Sequence, residues 1–363
     1  MSKATPRIFT AELKGNSRER GFQHGRILKA PICHAVNFYR EFFAEHVGID
    51  SQEMRRRASR FIESTARISG LLMSEYEGLA EGSGQTLEDI FALSARYEIT
   101  YETVKLGECS NVFVGPKRSA DGRALLGMNW EWRPEVLDFR AVLISRCDDL
   151  PDHIVVTECG QPGKYGVNEH GVASIESGLG CSQATSDGDA LFVVVLRHVL
   201  AQSDLTSAAR VIREHLSEAT ISFFLADGSG CGINYEISPT GVAERQLGLD
   251  EVYWHTNHCL LTEEPCSFED SFVRAERWRE LTGAADGVTW QTVGRWLADT
   301  ENGPNAICKA PNPALSHTTT WLQTLCSIVI DPYQRALWVS NGLSSQNPYV
   351  RFDFDSRCPN PDN

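Results

Sequence analysis

The sequence predicts a layered α+β domain, with two β-sheets packed face to face and helices outside them. Three observations carry this. Apolar residues recur at helical spacing through the stretch that ends near Thr103. From Ser110 the period shortens, and strands follow one another in runs. Helical periodicity then returns near 190–216 and 268–299, between strand runs. Strands in runs favour stacked sheets over a doubly wound parallel sheet, in which strand and helix alternate. The 363 residues are long for one domain, but mixed folds of this size form single units, and 42% hydrophobic residues supply a sizeable core.

In order along the chain, Arg7 to Leu13 reads as a first strand, with a turn at Gly15-Asn16. Ile27, Leu28, Ile32, Val36, Tyr39, Phe42 and Phe43 mark helix, and Pro31 either kinks it or opens a second helix. Met54, Ala58, Phe61, Ile62, Thr65, Ile68, Leu72 and Tyr76 mark one further amphipathic helix. Arg55, Arg56, Arg57 and Arg60 lie mostly off its apolar stripe and read as a solvated face. Residues 81–84 read as a loop, and Thr86-Leu87-Glu88-Asp89 as a capping box opening the next helix. Residues 111–114 and 124–129 read as a hairpin turning at Asp121-Gly122. Strands are expected at 141–144, 153–157 and 172–175, and a Gly-x-Asn-x-x-Gly turn at 166–171. Residues 190–201 read as a buried helix or strand, with length favouring helix; a short helix at 207–216 follows, then strands at 220–226, 231–237 and 251–256. Helices at 268–282 and 289–299 precede a closing hairpin around Asp331-Pro332, and the tail from Asn347 reads as loose.

Composition excludes several classes. A net charge of −14 with no basic stretch to offset it argues against nucleic acid. No run of about eighteen apolar residues predicts a membrane span. The first residues lack the apolar core of a secretory signal, which points to a cytoplasmic protein. The 11 cysteines show no paired spacing and read as reduced thiols rather than a disulfide frame.

Among those cysteines Cys109 stands out by position. It follows Gly107 at the switch from helix to strand, where small neighbours expose a side chain. A thiol is a good nucleophile even when only a small fraction is thiolate. The bland alternative is a buried packing cysteine. Far downstream, Asn257 can aim amide N–H groups at a developing charge, or it satisfies a turn. His255, His258 and Cys259 could be metal ligands, but their spacing suits a helix better than the strand expected there. No metal or cofactor is expected.

Cys109-Ser110-Asn111, Asp121-Gly122, the run from Gly127 to Trp132 and His255-Thr256-Asn257-His258 together resemble the isopenicillin-N acyltransferase family of N-terminal-nucleophile hydrolases. Residues 21–28 and 78–98 resemble that family's prosegment, so the similarity runs from about residue 8 to 352. The resemblance implies a four-layer αββα sandwich made as one precursor. It would cut itself between Glu108 and Cys109 into a mostly helical chain 1–108 and a nucleophile-bearing chain 109–363, both parts of one domain. The freed α-amine titrates at about 7.7–8.0 in model peptides and would take the thiol proton. Cys109 would attack an amide or thioester carbonyl, with Asn257 as oxyanion donor. Glu131 would be a carboxylate near Cys109. Asn129, Trp130, Ser110, Asn111 and Ser238 would support the site or line it.

Three departures qualify the likeness. Glu131 stands where the family has aspartate. Asn111 stands where it often has a hydroxyl residue. Thr318 to Trp321 carry no arginine where the penicillin enzyme has one. Penicillin-type substrates are therefore not expected. The implied partners are a small-molecule amide or acyl thioester and the cleaved 1–108 fragment. The functions that stay open are an autoproteolytic amidohydrolase or acyltransferase, a coenzyme-A-dependent N-acyltransferase of secondary metabolism, and an uncleaved, inactive binding relative.

Overall fold

The computed structural model describes residues 7–101, 109–181, 188–266, 268–318 and 320–355. The chain opens with β1 (Phe9–Gly15), α1 (Ser17–Ile27), α2 (Lys29–Phe42), α3 (Ser51–Ile68), α4 (Gly70–Ser83), α5 (Leu87–Ser94) and α6 (Arg96–Tyr101). Local chemistry starts most of these helices. Asn16 and Glu19 form a capping box on α1, and Asp50 caps α3 by accepting from Glu53 N–H. Thr86 caps α5. Pro31 sits in the first turn of α2, where its missing N–H costs nothing.

The helix expected to run from Met54 to Tyr76 is broken at Ser69. That residue is extended, at φ −158, and its side chain caps α4. The loop expected at 81–84 is instead the end of α4, closed by Gly84 at φ 72. The reason lies in tertiary packing. Gly21 and Gly25 on α1 face Gly78 and Gly82 on α4, and a Cβ at any of them would collide with the other helix's backbone. Glycine spacing lets the two helices touch main chain to main chain, which explains the motif at 21–28 and the glycines at 78 and 82. The arginines of α3 are also not simply solvated. Arg55 forks onto Asp89 with Nε at 2.9 Å, and Arg60 pairs with Glu218.

The strand region contains β2 (Ser110–Val114), β3 (Leu125–Trp132), β4 (Arg140–Cys147), β5 (His153–Glu158), β6 (Tyr165–Asn168) and β7 (Ala173–Gly178). Then come α7 (Phe192–Val199), α8 (Leu205–Glu214), β8 (Ile221–Ala226), β9 (Gly232–Ser238), β10 (Gly241–Leu247) and β11 (Val252–His255). The chain closes with α9 (Glu269–Thr282), α10 (Trp290–Leu297), β12 (Gln323–Asp331), β13 (Ala336–Ser340) and β14 (Tyr349–Phe352). An 8-stranded sheet has the order β1-β4-β5-β6-β7-β8-β9-β10, and a 6-stranded sheet the order β11-β2-β3-β12-β13-β14. β1 lies parallel to β4. Residues before and after position 109 thus share one sheet. Three strands were not expected. β6 occupies the first half of the segment read as a turn. β10 is exposed or half-exposed up to its last residue, Leu247, with too few apolar residues to signal a strand. β14, in the tail expected to be loose, pairs with β13.

The layers follow from the two faces of each strand. Phe113, Leu126, Met128, Trp130 and Trp132 face the core between the sheets. Val112, Val114 and Leu125 face a second core beneath α9 and α10, formed with Trp278, Val293 and Leu297. Gly127 has no side chain because Val293 of α10 sits against it. On the other side, α7 and α8 pack on β7 and β8. The architecture is therefore helix, sheet, sheet, helix, as the sequence led one to expect. No helix among the described residues is long and apolar enough to cross a membrane.

Candidate active site

β2 begins at Ser110, so Cys109 stands at its mouth, with the same side-chain parity as Phe113. It therefore points between the two sheets. Its Sγ lies 4.0 Å from the carbonyl oxygen of Glu131 and is 6% exposed. It opens onto a small, partly enclosed cavity of about 20 Å³, room for roughly one water. Trp130, Trp132, Phe192 and Leu322 supply apolar wall, and Tyr97 and Arg96 of α6 close one side. Burial pushes the Cys109 thiol well above its ordinary range, the charge of Glu176 adds to this, and Lys164 opposes it. In this state the sulfur carries its proton at neutral pH.

The polar wall of the cavity consists of buried ion pairs. Lys164 Nζ is 3.3 Å from Glu176 Oε1, which also accepts from Tyr165 Oη at 2.5 Å. The ammonium lies over the rings of Trp130 at 4.7 Å and Tyr165 at 4.4 Å. Burial pulls the Lys164 ammonium below its ordinary value, against the attraction of Glu176. Arg96 donates to Glu158 at 2.6 Å, and Glu158 also accepts from Tyr39 Oη at 2.8 Å. Trp132 Nε1 completes the chain by donating to Tyr39 Oη at 3.0 Å. A buried charge persists only when so paired.

A second network lies on the other side of Cys109. Arg274 of α9 is fully buried. Its Nη1 donates to the carbonyl of Cys109 at 2.9 Å and to Ser110 Oγ at 3.2 Å. Its Nη2 donates to Asn257 Oδ1 at 2.6 Å and to Asp270 at 3.2 Å. The Asn257 amide donates to the carbonyl of Gly178 at 2.7 Å, and Gly178 lines the cavity. Asn257 therefore sits just behind the cavity wall, with its amide oxygen clamped by Arg274 and its amide nitrogen on the Gly178 carbonyl.

The remaining expected residues fall in different places. Trp130 is in the cavity wall. Glu131 meets Cys109 through its backbone. Its carboxylate accepts from Thr324 Oγ1 at 3.1 Å. Asn129 shares the outer face of β3 and staples other elements, donating to the carbonyls of Leu297 at 2.9 Å and Ile307 at 2.6 Å. Asn111 is fully buried, and neither atom of its amide has a hydrogen-bond partner among the described residues. Ser238, expected near the pocket floor, bonds Thr240 at 3.0 Å at the β9–β10 turn and does not line the cavity. Glu108 lies outside the described residues. His255 and His258 turn apart: His255 Nε2 faces Glu236 at 2.8 Å, while His258 Nδ1 faces Ser271 Oγ at 2.8 Å.

Sequence reading missed Arg96, Lys164, Glu176 and Arg274. Only Arg274 left a signal. It occupies the buried stripe of α9 with Ser271, Ala275 and Trp278, where a lone charge must have a partner. The others left none: Lys164 follows Pro162-Gly163, Arg96 is two residues from Glu98, and Glu176 lies in a short strand beside two serines.

The model of the acyl-coenzyme A:6-aminopenicillanic acid acyl-transferase family matches residues 118–346. A curated relative, the 40 kDa form of the acyl-coenzyme A:6-aminopenicillanic-acid-acyltransferase of Emericella nidulans, is 26% identical over 345 residues, covering 93% of this chain and 94% of its own. Among solved structures, penicillin V acylase from Agrobacterium tumefaciens aligns at 14% identity with a TM-score of 0.38, covering 68% of this chain and 86% of that one. A conjugated bile acid hydrolase variant from Clostridium perfringens aligns at 12% identity with a TM-score of 0.44, covering 69% and 93%.

Proposed function

The chain belongs to the acyl-coenzyme A:6-aminopenicillanic acid acyl-transferase family, and from that membership we propose that it is an autoproteolytic cysteine enzyme. It acts on a non-peptidic amide or thioester through an acyl-enzyme on Cys109. The observation that carries this reading is one guanidinium, that of Arg274, holding both the Cys109 carbonyl and the Asn257 amide beside the cavity.

The chemistry follows from proton bookkeeping. A thiol pushed up by burial is a poor nucleophile until a base takes its proton. Cleavage between Glu108 and Cys109 creates that base, the α-amine of Cys109, on the same residue as the sulfur. It also cuts the chain beside the cavity that α6 closes. The sulfur then attacks the substrate carbonyl. The Asn257 N–H not held by the Gly178 carbonyl takes up the charge on the substrate carbonyl oxygen, a contribution of about 10²–10³ in rate for one such donor. Arg274 fixes the amide's orientation by occupying its oxygen. Water or an amine then removes the acyl group, and hydrolysis is the default because water needs no dedicated site.

Denaturing mass spectrometry of the protein beside its Cys109→Ala variant tests this. The wild type yields two chains, the larger beginning at Cys109, and the variant stays whole. If the wild type stays whole like the variant, the enzyme reading is withdrawn in favour of an uncleaved binding protein.

The name of the Emericella relative favours a second reading, transfer from an acyl-coenzyme A to an amine. Free coenzyme A released only when both acyl-coenzyme A and an amine are present would select transfer over hydrolysis.

A further inference from the structure

Behind Asn257 lies a pair of thiols that the proposed reaction does not use. Cys181 Sγ and Cys259 Sγ are 3.6 Å apart, and neither is in a disulfide. Cys181 is 1% exposed and Cys259 is half-buried. Each belongs to one of the two segments that meet at Asn257. Gly180 N–H donates to the Asn257 carbonyl at 2.8 Å, one residue before Cys181. Cys259 follows Asn257 by two positions, in a turn pinned by Glu236, which accepts from Leu260 N–H at 2.6 Å. The third sulfur nearby, Cys266, is turned elsewhere, toward the Asn257 carbonyl at 3.4 Å.

We propose that Cys181 and Cys259 are a redox-active dithiol, which a hydroperoxide oxidises to a disulfide that staples the Asn257 segment to the 178–181 segment. The two sulfurs need to close from 3.6 Å to the S–S bond length of about 2.05 Å. The exposure order assigns the roles. Cys259, the more open thiol, meets the oxidant; the Cys181 hydrogen bond holds its thiol below the ordinary range. The Cys259 thiolate attacks one peroxide oxygen, the O–O bond breaks, and the departing alkoxide or hydroxide takes a proton to leave an alcohol or water. Cys259 is then a sulfenic acid. The Cys181 sulfur attacks it, the S–O bond breaks, and the hydroxyl leaves as water with the proton from Cys181. Two thiols are oxidised and one peroxide is reduced. Both cysteines follow residue 109, so the disulfide forms whether or not the chain is cut, and its failure is read apart from failure of the proposed cleavage.

The test is to treat the full chain with hydrogen peroxide, alkylate it under denaturing conditions, and map the peptides by mass spectrometry. The expected result is a peptide joining Cys181 to Cys259, about 2 Da lighter than the two thiols and restored by dithiothreitol. In Cys181→Ser, dimedone traps a sulfenic acid on Cys259 instead, and Cys266→Ser keeps the cross-link. Cys259→Ser, at a half-buried position, loses the cross-link and serves if the buried variant does not fold. Equal alkylation of both thiols after peroxide, or a disulfide that includes Cys266, overturns the proposal.

Discussion

Arg274 and Cys109 are 165 positions apart, yet the guanidinium of the first donates to the carbonyl oxygen of the second at 2.9 Å. That contact ties α9 to the mouth of β2. The same side chain clamps Asn257. An arginine serves here because its planar fork reaches two acceptors at once, which an ammonium on a flexible stem does not. Arg274→Lys is therefore expected to keep the fold and charge but release the Asn257 amide. We predict that kcat falls by about 10², with KM changing far less. Steady-state kinetics on cleaved protein check this, and an unchanged kcat would remove Asn257 from the mechanism.

The pH profile follows from which group is the base. If the α-amine of Cys109 takes the thiol proton, kcat/KM rises with pH through a single ionisation near its ordinary value of about 7.7–8.0. A limb near 6.5 would mean that a histidine does the work. The measurement is kcat/KM from pH 5 to 9 at constant ionic strength.

Two buried groups shape stability. Burial raises the Glu98 carboxyl to about 8, with Phe192 N–H at 2.9 Å as its partner. Its folded pKa lies above the unfolded one, so its contribution is full below about 4.5 and is lost as pH rises toward 8. Burial lowers His24 to about 3, so stability is lost on its account as pH falls from 6.5 toward that value. Glu98→Gln keeps the acceptor for Phe192 and removes the alkaline loss. Urea denaturation at pH 5, 6.5 and 8 should show the variant gaining on the wild type by a few kcal/mol, roughly, at pH 8 and little at pH 5. A constant difference across pH would contradict this assignment.

The α1–α4 crossing supplies a sharper test of packing. A Cβ at Gly78 meets the Arg18 carbonyl, whereas one at Gly70 meets nothing within 4 Å. Gly78→Val is expected to abolish soluble folded protein. Gly70→Ala should be tolerated or should stabilise by about 0.5–1 kcal/mol, through a smaller loss of backbone freedom. Circular dichroism melts of the pair decide it.

Much of this protein was legible residue by residue. The helical period before Thr103, the shorter period after Ser110, and the caps at Asp50 and Thr86 are written within a few residues of where they act. Helix capping and strand alternation are local chemistry, so a single sequence reveals them. The position of Cys109 at the helix-to-strand switch was legible for the same reason. β10 and β14 were not, because edge strands need only a neighbour's backbone and little apolar pattern of their own.

What the sequence by itself determined was the type and order of most elements and the place of Cys109 at the switch from helix to strand. The tertiary structure alone decided the company Cys109 keeps. Strand parity turned Asn129 outward to α10 and left Glu131 touching the sulfur through its backbone. Sheet order brought Lys164 and Glu176 to the cavity, and helix packing brought Arg274. The physical reason is range. Periodicity and capping are set by neighbours in the chain, whereas a buried charge is placed by partners that only folding brings within hydrogen-bond distance.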